Sequence, residues 1–122
     1  MQKISPCLWF NNTAEAAVDF YLSIFKDGNT YYFLTQHNLF GKEIYLYTSA
    51  SPEGSFVDKR VVYCTPETNG DIFTYNAFAH DHVYRDSLLV SYNVNSLDYT
   101  DILKNADNYR PYFVRIGGWR KK

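Results

Sequence analysis

The chain has 122 residues, among them 12 Tyr and 9 Phe, and a formal net charge of −1. That length suits one small domain, which buries roughly two-thirds of the surface its unfolded chain exposes. The near-zero charge excludes an electrostatic pull towards nucleic acid or an anionic membrane, and no run approaches the ~20 apolar residues of a membrane span. Two cysteines, Cys7 and Cys64, do not make a disulfide framework and read as free thiols in strands. The start of the chain carries Lys3 but no long apolar stretch behind it, so the sequence as written predicts no signal peptide and a cytoplasmic protein.

In chain order, residues 4–10 are a short apolar run with Pro6 near its start, which suits a strand. Asn12 offers an N-cap and Glu15 completes a capping box. Ala14, Ala17, Val18, Tyr21, Leu22 and Phe25 then fall on one helical face, and Gly28 is placed to cap the C-terminus of that helix. Beyond Gly28 the pattern changes. Residues 31–36, 43–49, 60–65, 73–80 and 87–93 read as strands, punctuated by turns at 38–42, 51–54 and 68–71. Residues 97–106 predict a short, weak helix, and 112–116 a last strand. Gly117 and Gly118 then release a basic tail, Trp119 to Lys122, expected to be solvated. The aromatic strands suit a pleated, half-buried surface, and Tyr suits sugar-binding faces and interfaces as well.

Two resemblances meet at Gly28. Lys3 to Phe10 followed by Ala14 to Phe25 resembles the start of a PhnB-like vicinal-oxygen-chelate protein of the glyoxalase and bleomycin-resistance superfamily. That superfamily builds βαβββ modules, and its metal-binding members often carry a His ligand on the first strand. Ser5 stands at that position here and is a poor divalent-metal ligand. Residues 30–119 resemble the C-terminal blades of a secreted five-bladed β-propeller related to glycoside hydrolases. The resemblance rests on the turn Tyr47-Thr-Ser-Ala-Ser-Pro-Glu-Gly54 and on the ordered strands around Arg60, Phe73, Leu88 and Tyr112. It implies that 31–36, 43–49 and 60–65 are strands two to four of one blade. The strands at 73, 87 and 112 are then one to three of the next. The first blade lacks its innermost strand and the second its outermost.

Among chemically suggestive residues, His80 and His82 stand two apart, so on a strand both imidazoles would share a face and reach one metal. The propeller resemblance implies that His80 lies near a bound ion or sugar, with Tyr75 and Asn76 as further carbohydrate contacts. A divalent metal is the one cofactor these residues suggest. Glu53, Glu67 and Asp71 are the carboxylates weighed for glycoside hydrolysis, which needs a pair about 5–5.5 Å or 6.5–9.5 Å apart. All three fall in turn motifs, and Cys64 has no base beside it, so no catalytic residue is expected.

The sequence therefore predicts a mainly β protein with one N-terminal helix: a β-α leader over 1–28 and an antiparallel meander of propeller-blade type over 29–122. The alternative is an α+β, βαβββ chelate fold in which 97–106 is the second-module helix. The expected function is that of a catalytically incomplete remnant of a carbohydrate-associated propeller joined to a foreign leader. The alternatives are a small-molecule-binding chelate protein and an interaction module without a small-molecule site. Partners expected are a glycan or small molecule, and further copies of the chain through open sheet edges. Neither nucleic acid nor membrane is expected.

Overall fold

The computed structural model describes residues 23–38 and 40–120. They form two antiparallel meanders, each in chain order. The first sheet holds β1 (Ile24–Asp27), β2 (Thr30–Gln36), β3 (Glu43–Ser49) and β4 (Val57–Cys64). The second holds β5 (Ile72–His80), β6 (Ser87–Ser96) and β7 (Arg110–Gly117). All six strands expected after Gly28 are present with small shifts at their ends. The expected strand over 4–10, the helical positions 14–22 and Cys7 lie outside the described residues.

Gly28 corrects the sequence reading. The expected helix would end at Phe25 and Gly28, but Ile24–Asp27 is a strand, paired with β2 from Ile24↔Phe33 to Asp27↔Thr30. Gly28 and Asn29 are therefore the two-residue loop of a hairpin. Gly28 has φ +60° and Asn29 does not share the positive φ, which is the type II′ pattern that matches strand twist. A helix C-cap and a II′ turn ask the same of glycine, so the local signal at Gly28 fitted both. The strand thought missing from the first sheet is β1. The second sheet has three strands among the described residues.

Among the described residues every strand pairing joins strands consecutive in sequence and antiparallel, which gives the βαβββ alternative no support there. The 97–106 segment is a short helix, α1 (Tyr99–Lys104), followed by a 3-10 turn, Ala106–Asn108, and neither buries a residue. Asp98 caps α1 by accepting from the Thr100 amide at 2.9 Å. Among the described residues no helix is long and apolar enough to cross a membrane.

Strict alternation builds the core. In β2 and β3 the residues Tyr32, Leu34, Ile44 and Leu46 are buried, while their neighbours in sequence are not. In β6 the same period buries Leu88, Val90, Tyr92 and Val94. These two apolar faces pack against each other as one cluster. The C-terminal residues join it, contrary to the expected solvated tail. Gly118, at φ +62°, turns the chain so that Trp119 is only 4 % exposed. Its ring lies 5.6 Å from Phe25 and 5.0 Å from Tyr32. Arg120 pairs with Asp27 at 2.7 Å, and Arg60 donates to the Trp119 carbonyl. The end of the second sheet is thus fastened to the first hairpin.

A buried hydroxyl adds a pH dependence. Tyr92 lies beneath stacked Tyr112 and donates to Glu67 at 2.9 Å. Burial first, then the Tyr63 and Glu67 hydrogen bonds, hold its ionisation well above the usual tyrosine value. The unfolded chain releases this proton near pH 10 while the folded chain keeps it. The stabilising contribution is therefore full below about pH 10 and is lost as pH rises beyond it. Denaturant midpoints measured from pH 8 to pH 11 are expected to fall at the alkaline end, and to fall less steeply in Tyr92→Phe.

Candidate functional site

The two faces of the second sheet differ in chemistry. Thr74, Ala77 and Ala79 of β5, Leu88, Val90, Tyr92 and Val94 of β6, and Tyr112, Val114 and Ile116 of β7 turn towards the core. The other face is built of cross-strand rows. Phe73 opposes Asn95; Tyr75, Asn93 and Pro111 form a row; Phe78, Ser91 and Phe113 form the next; His80, Leu89 and Arg115 form the last. Small polar residues of β6 thus run between aromatic residues of β5 and the Pro111 and Phe113 side of β7.

A bulge puts the β5 aromatics on one face. Tyr75 and Phe78 are three residues apart, yet their partners Asn93 and Ser91 are two apart, so β5 carries one extra residue. Asn76 occupies it at φ +56°, a conformation Asn tolerates better than most side chains, and it is exposed. The bulge is held from the other sheet. Gln36, 9 % exposed at the end of β2, accepts from the Ala77 amide at 3.3 Å. Its Nε2 donates to Thr74 Oγ1 and to the Gly41 carbonyl, each at 2.7 Å. Thr65 and Thr68 complete this buried network around Thr74.

A cleft of about 300 Å³ opens at one end of the polar lane, lined by Tyr75, Asn93, Val94, Tyr109, Arg110 and Pro111. Phe40 and Phe73 extend its aromatic wall, 4.8 Å apart, with Phe73 5.6 Å from Tyr75. Arg110 is held by Asp107 at 2.8 Å and lies 3.9 Å over the Tyr112 ring. Two rows along the sheet, His80 Nε2 hydrogen-bonds Ser91 Oγ at 2.8 Å, and the His80 ring sits 5.2 Å from Phe78 and 6.1 Å from Phe113. Arg115 contacts Ser87 Oγ at 2.6 Å and Asp86 at 3.1 Å, which holds the Asp86 carboxyl below its ordinary range.

The structure places the expected site residues as follows. Tyr75 and His80 share the outer face of the second sheet, and Asn76 stands at the bulge between them. His82 does not join them as an alternate strand residue, because β5 ends at His80 and His82 lies in the exposed turn after it. The i, i+2 argument for a two-histidine metal site therefore has no strand to act on. The carboxylates have separate partners. Glu53 accepts from Ser51 Oγ at 2.5 Å within its turn, which holds its carboxyl below the ordinary range. Glu67 accepts from Tyr92. Asp71 meets Asp98 and Asp101, with oxygens of all three within 4.8 Å of one another. Asp98 there is the cap of α1, and Asp101 accepts from Ser96 Oγ at 2.7 Å. Cys64 is exposed at the end of β4 rather than packed within a strand.

Sequence reading missed Gln36, Ser91, Asn93 and Tyr109. The signal for Ser91 and Asn93 was present: they alternate with Val90, Tyr92 and Val94, which marks a strand with one apolar and one polar face. Gln36 and Tyr109 carried none, because their partners lie on other elements.

The crystal structure of a "putative hydrolase" from Bacteroides ovatus matches with a TM-score of 0.68 and 32% identity, over 79% of this chain and 26% of that one. This chain thus spans about a quarter of that protein's length. No curated protein matches. One family model, "Domain of unknown function (DUF5005)", matches residues 9–119, a range that includes both sides of Gly28. The expected leader from a second family is left without support, and the chain belongs to this DUF5005 family.

Proposed function

We propose that the chain is a carbohydrate-contacting, non-catalytic part of a glycoside-hydrolase-like β-propeller, its two meanders being consecutive blades. The observation that carries this reading is the cleft at the Tyr75, Asn93 and Pro111 row, with Tyr109 and Arg110 around it. Aromatic rings offer flat apolar surface to the C–H face of a sugar ring, and Asn and Tyr offer hydrogen bonds to its hydroxyls. The stacked antiparallel meanders and the likeness to the Bacteroides ovatus protein support the wider setting. Glu53, Glu67 and Asp71 have different partners, and this arrangement favours binding over hydrolysis by these residues.

A thermal-shift panel of glycans tests the reading. A ligand present at about 100 times its Kd stabilises the folded state by about 2.7 kcal/mol, a readily measured rise in Tm. At least one neutral glycan is expected to give such a rise, and Tyr75→Ala to abolish it. A panel without any shift overturns the proposal.

A further inference from the structure

We propose that the open edge of β7 pairs with β7 of a second copy, joining the second sheets of two chains into one antiparallel sheet. The two sheets have four edges, and three of them are blunted. β1 is only four residues long. β4 shifts register against β3 at two places, carries Asp58 at φ +57° and sets Asp58, Lys59 and Arg60 in a row. β5 bulges at Asn76. β7 is long and regular: its eight residues pair with β6 from Ser87↔Gly117 to Val94↔Arg110 without a shift. Among the described residues no strand pairs with its other side. The chain itself turns away from that edge, since Gly118 sends Trp119 back to Phe25 and Tyr32. On the two-blade reading this edge lies at the rim, and blades stack through their faces, so a neighbouring blade leaves it uncovered.

Pro111 sets which groups face outwards. It has no N–H to give β6, and on an edge strand proline fits where that position faces solvent. Its carbonyl accepts from Arg110 Nη1 at 3.3 Å. By alternation the amides turned outwards are those of Phe113, Arg115 and Gly117. An identical strand fits them in one register. Centred on Val114, two antiparallel copies set Val114 against Val114 and Tyr112 against Ile116, apolar pairs on the core side. On the other face, Phe113 of each copy meets the second copy's Arg115. That guanidinium already lies 4.0 Å over the Tyr84 ring, and it suits an aromatic neighbour. Gly117 donates to the second copy's Pro111 carbonyl. A register centred on Arg115 opposes two arginines, and one centred on Phe113 sets Arg115 against Pro111, which cannot donate.

Sedimentation of this chain, with amide exchange at several protein concentrations, provides the test. A dimer is expected, with the Phe113 and Arg115 amides gaining protection as concentration rises. Phe113→Pro removes an outward N–H and leaves the β6 ladder its donors, so it is expected to raise the dissociation constant at least about tenfold. In a Cys7→Ser, Cys64→Ser background, Val114→Cys is expected to cross-link two chains on air oxidation. A non-hydrogen-bonded antiparallel pair holds its Cα atoms about 4.5 Å apart, within reach of a disulfide. Val61→Cys, exposed on the β4 edge, is the control and is expected to stay uncross-linked. A monomer at every concentration, with unchanged exchange at Phe113 and Arg115, overturns the proposal. So does a dimer that survives Phe113→Pro, or cross-linking of Val61→Cys as fast as of Val114→Cys. Should Phe113→Pro fail to fold, the exchange and cross-linking results decide.

Discussion

Replacing Trp119 with alanine is expected to destabilise the protein by about 3–5 kcal/mol, the range for deleting a large buried aromatic. The indole is 4% exposed and fills the space between Phe25 and Tyr32, so its loss leaves a cavity where the first hairpin meets the tail. The effect exceeds simple transfer because the backbone beside it is tied at several points. Arg60 donates to the Trp119 carbonyl, and Arg120 reaches both Asp27 and the Arg85 carbonyl. The indole Nε1 makes no hydrogen bond among the described residues, so Trp119→Phe forfeits volume only and is expected to cost far less than alanine. Urea midpoints order the variants. A Trp119→Ala protein as stable as the parent would show that the tail does not belong to the core.

Removing the Gln36 side chain is the second large expected effect. Gln36→Ala unpairs the Ala77 amide, the Gly41 carbonyl and one bond of Thr74, all at the junction of the two sheets. Each buried group left without a partner costs about 1–3 kcal/mol, so a total loss of about 3 kcal/mol is expected. Gln36→Glu keeps acceptor oxygens for Ala77 but loses the donors to Gly41 and Thr74, and it places a charge in a buried network. It is expected to be no better than alanine near neutral pH. Amide exchange supplies the diagnostic readout. Ala77 should lose protection in Gln36→Ala more than Val90 or Val94 does, because the bulge at Asn76 opens locally while the central strand keeps its partners. Since that bulge follows Tyr75 directly, Gln36 is a positioning residue for the proposed sugar-contacting cleft. Uniform loss of protection across β5 and β6 would reduce its role to general stability.

The candidate site was legible in part, for a reason visible in single residues. Tyr75 and His80 stood out by type, and both lie on the outer face of the second sheet. Their relation depends on the extra residue at Asn76, and nothing in local composition says whether β5 pairs in register or bulges. His80 and His82 illustrate the converse: spacing implied a shared face, but a strand must continue for spacing to matter, and β5 ends at His80. Asp71 and Asp98 are brought together because the ends of β5 and β6 meet through Ile72↔Ser96, a contact set by pairing and not by sequence distance.

The antiparallel strand run from Thr30 onward follows from local chemistry, since alternating aromatic and β-branched residues between turn formers have few other stable states. The fate of Ile24–Asp27 did not. Phe25 continues a helical spacing from Ala14 and equally pairs as a strand, and Gly28 serves either as a helix cap or as a hairpin turn. Stacking of Phe25 on Tyr32 at 5.4 Å and against Trp119, from the far end of the chain, accompanies the strand. The sequence by itself therefore determined the periodicity, the turns and the mainly β class. Tertiary structure decided where the first sheet begins, which tail residues are core and which polar residues face one another, because those outcomes depend on burial against residues remote in sequence.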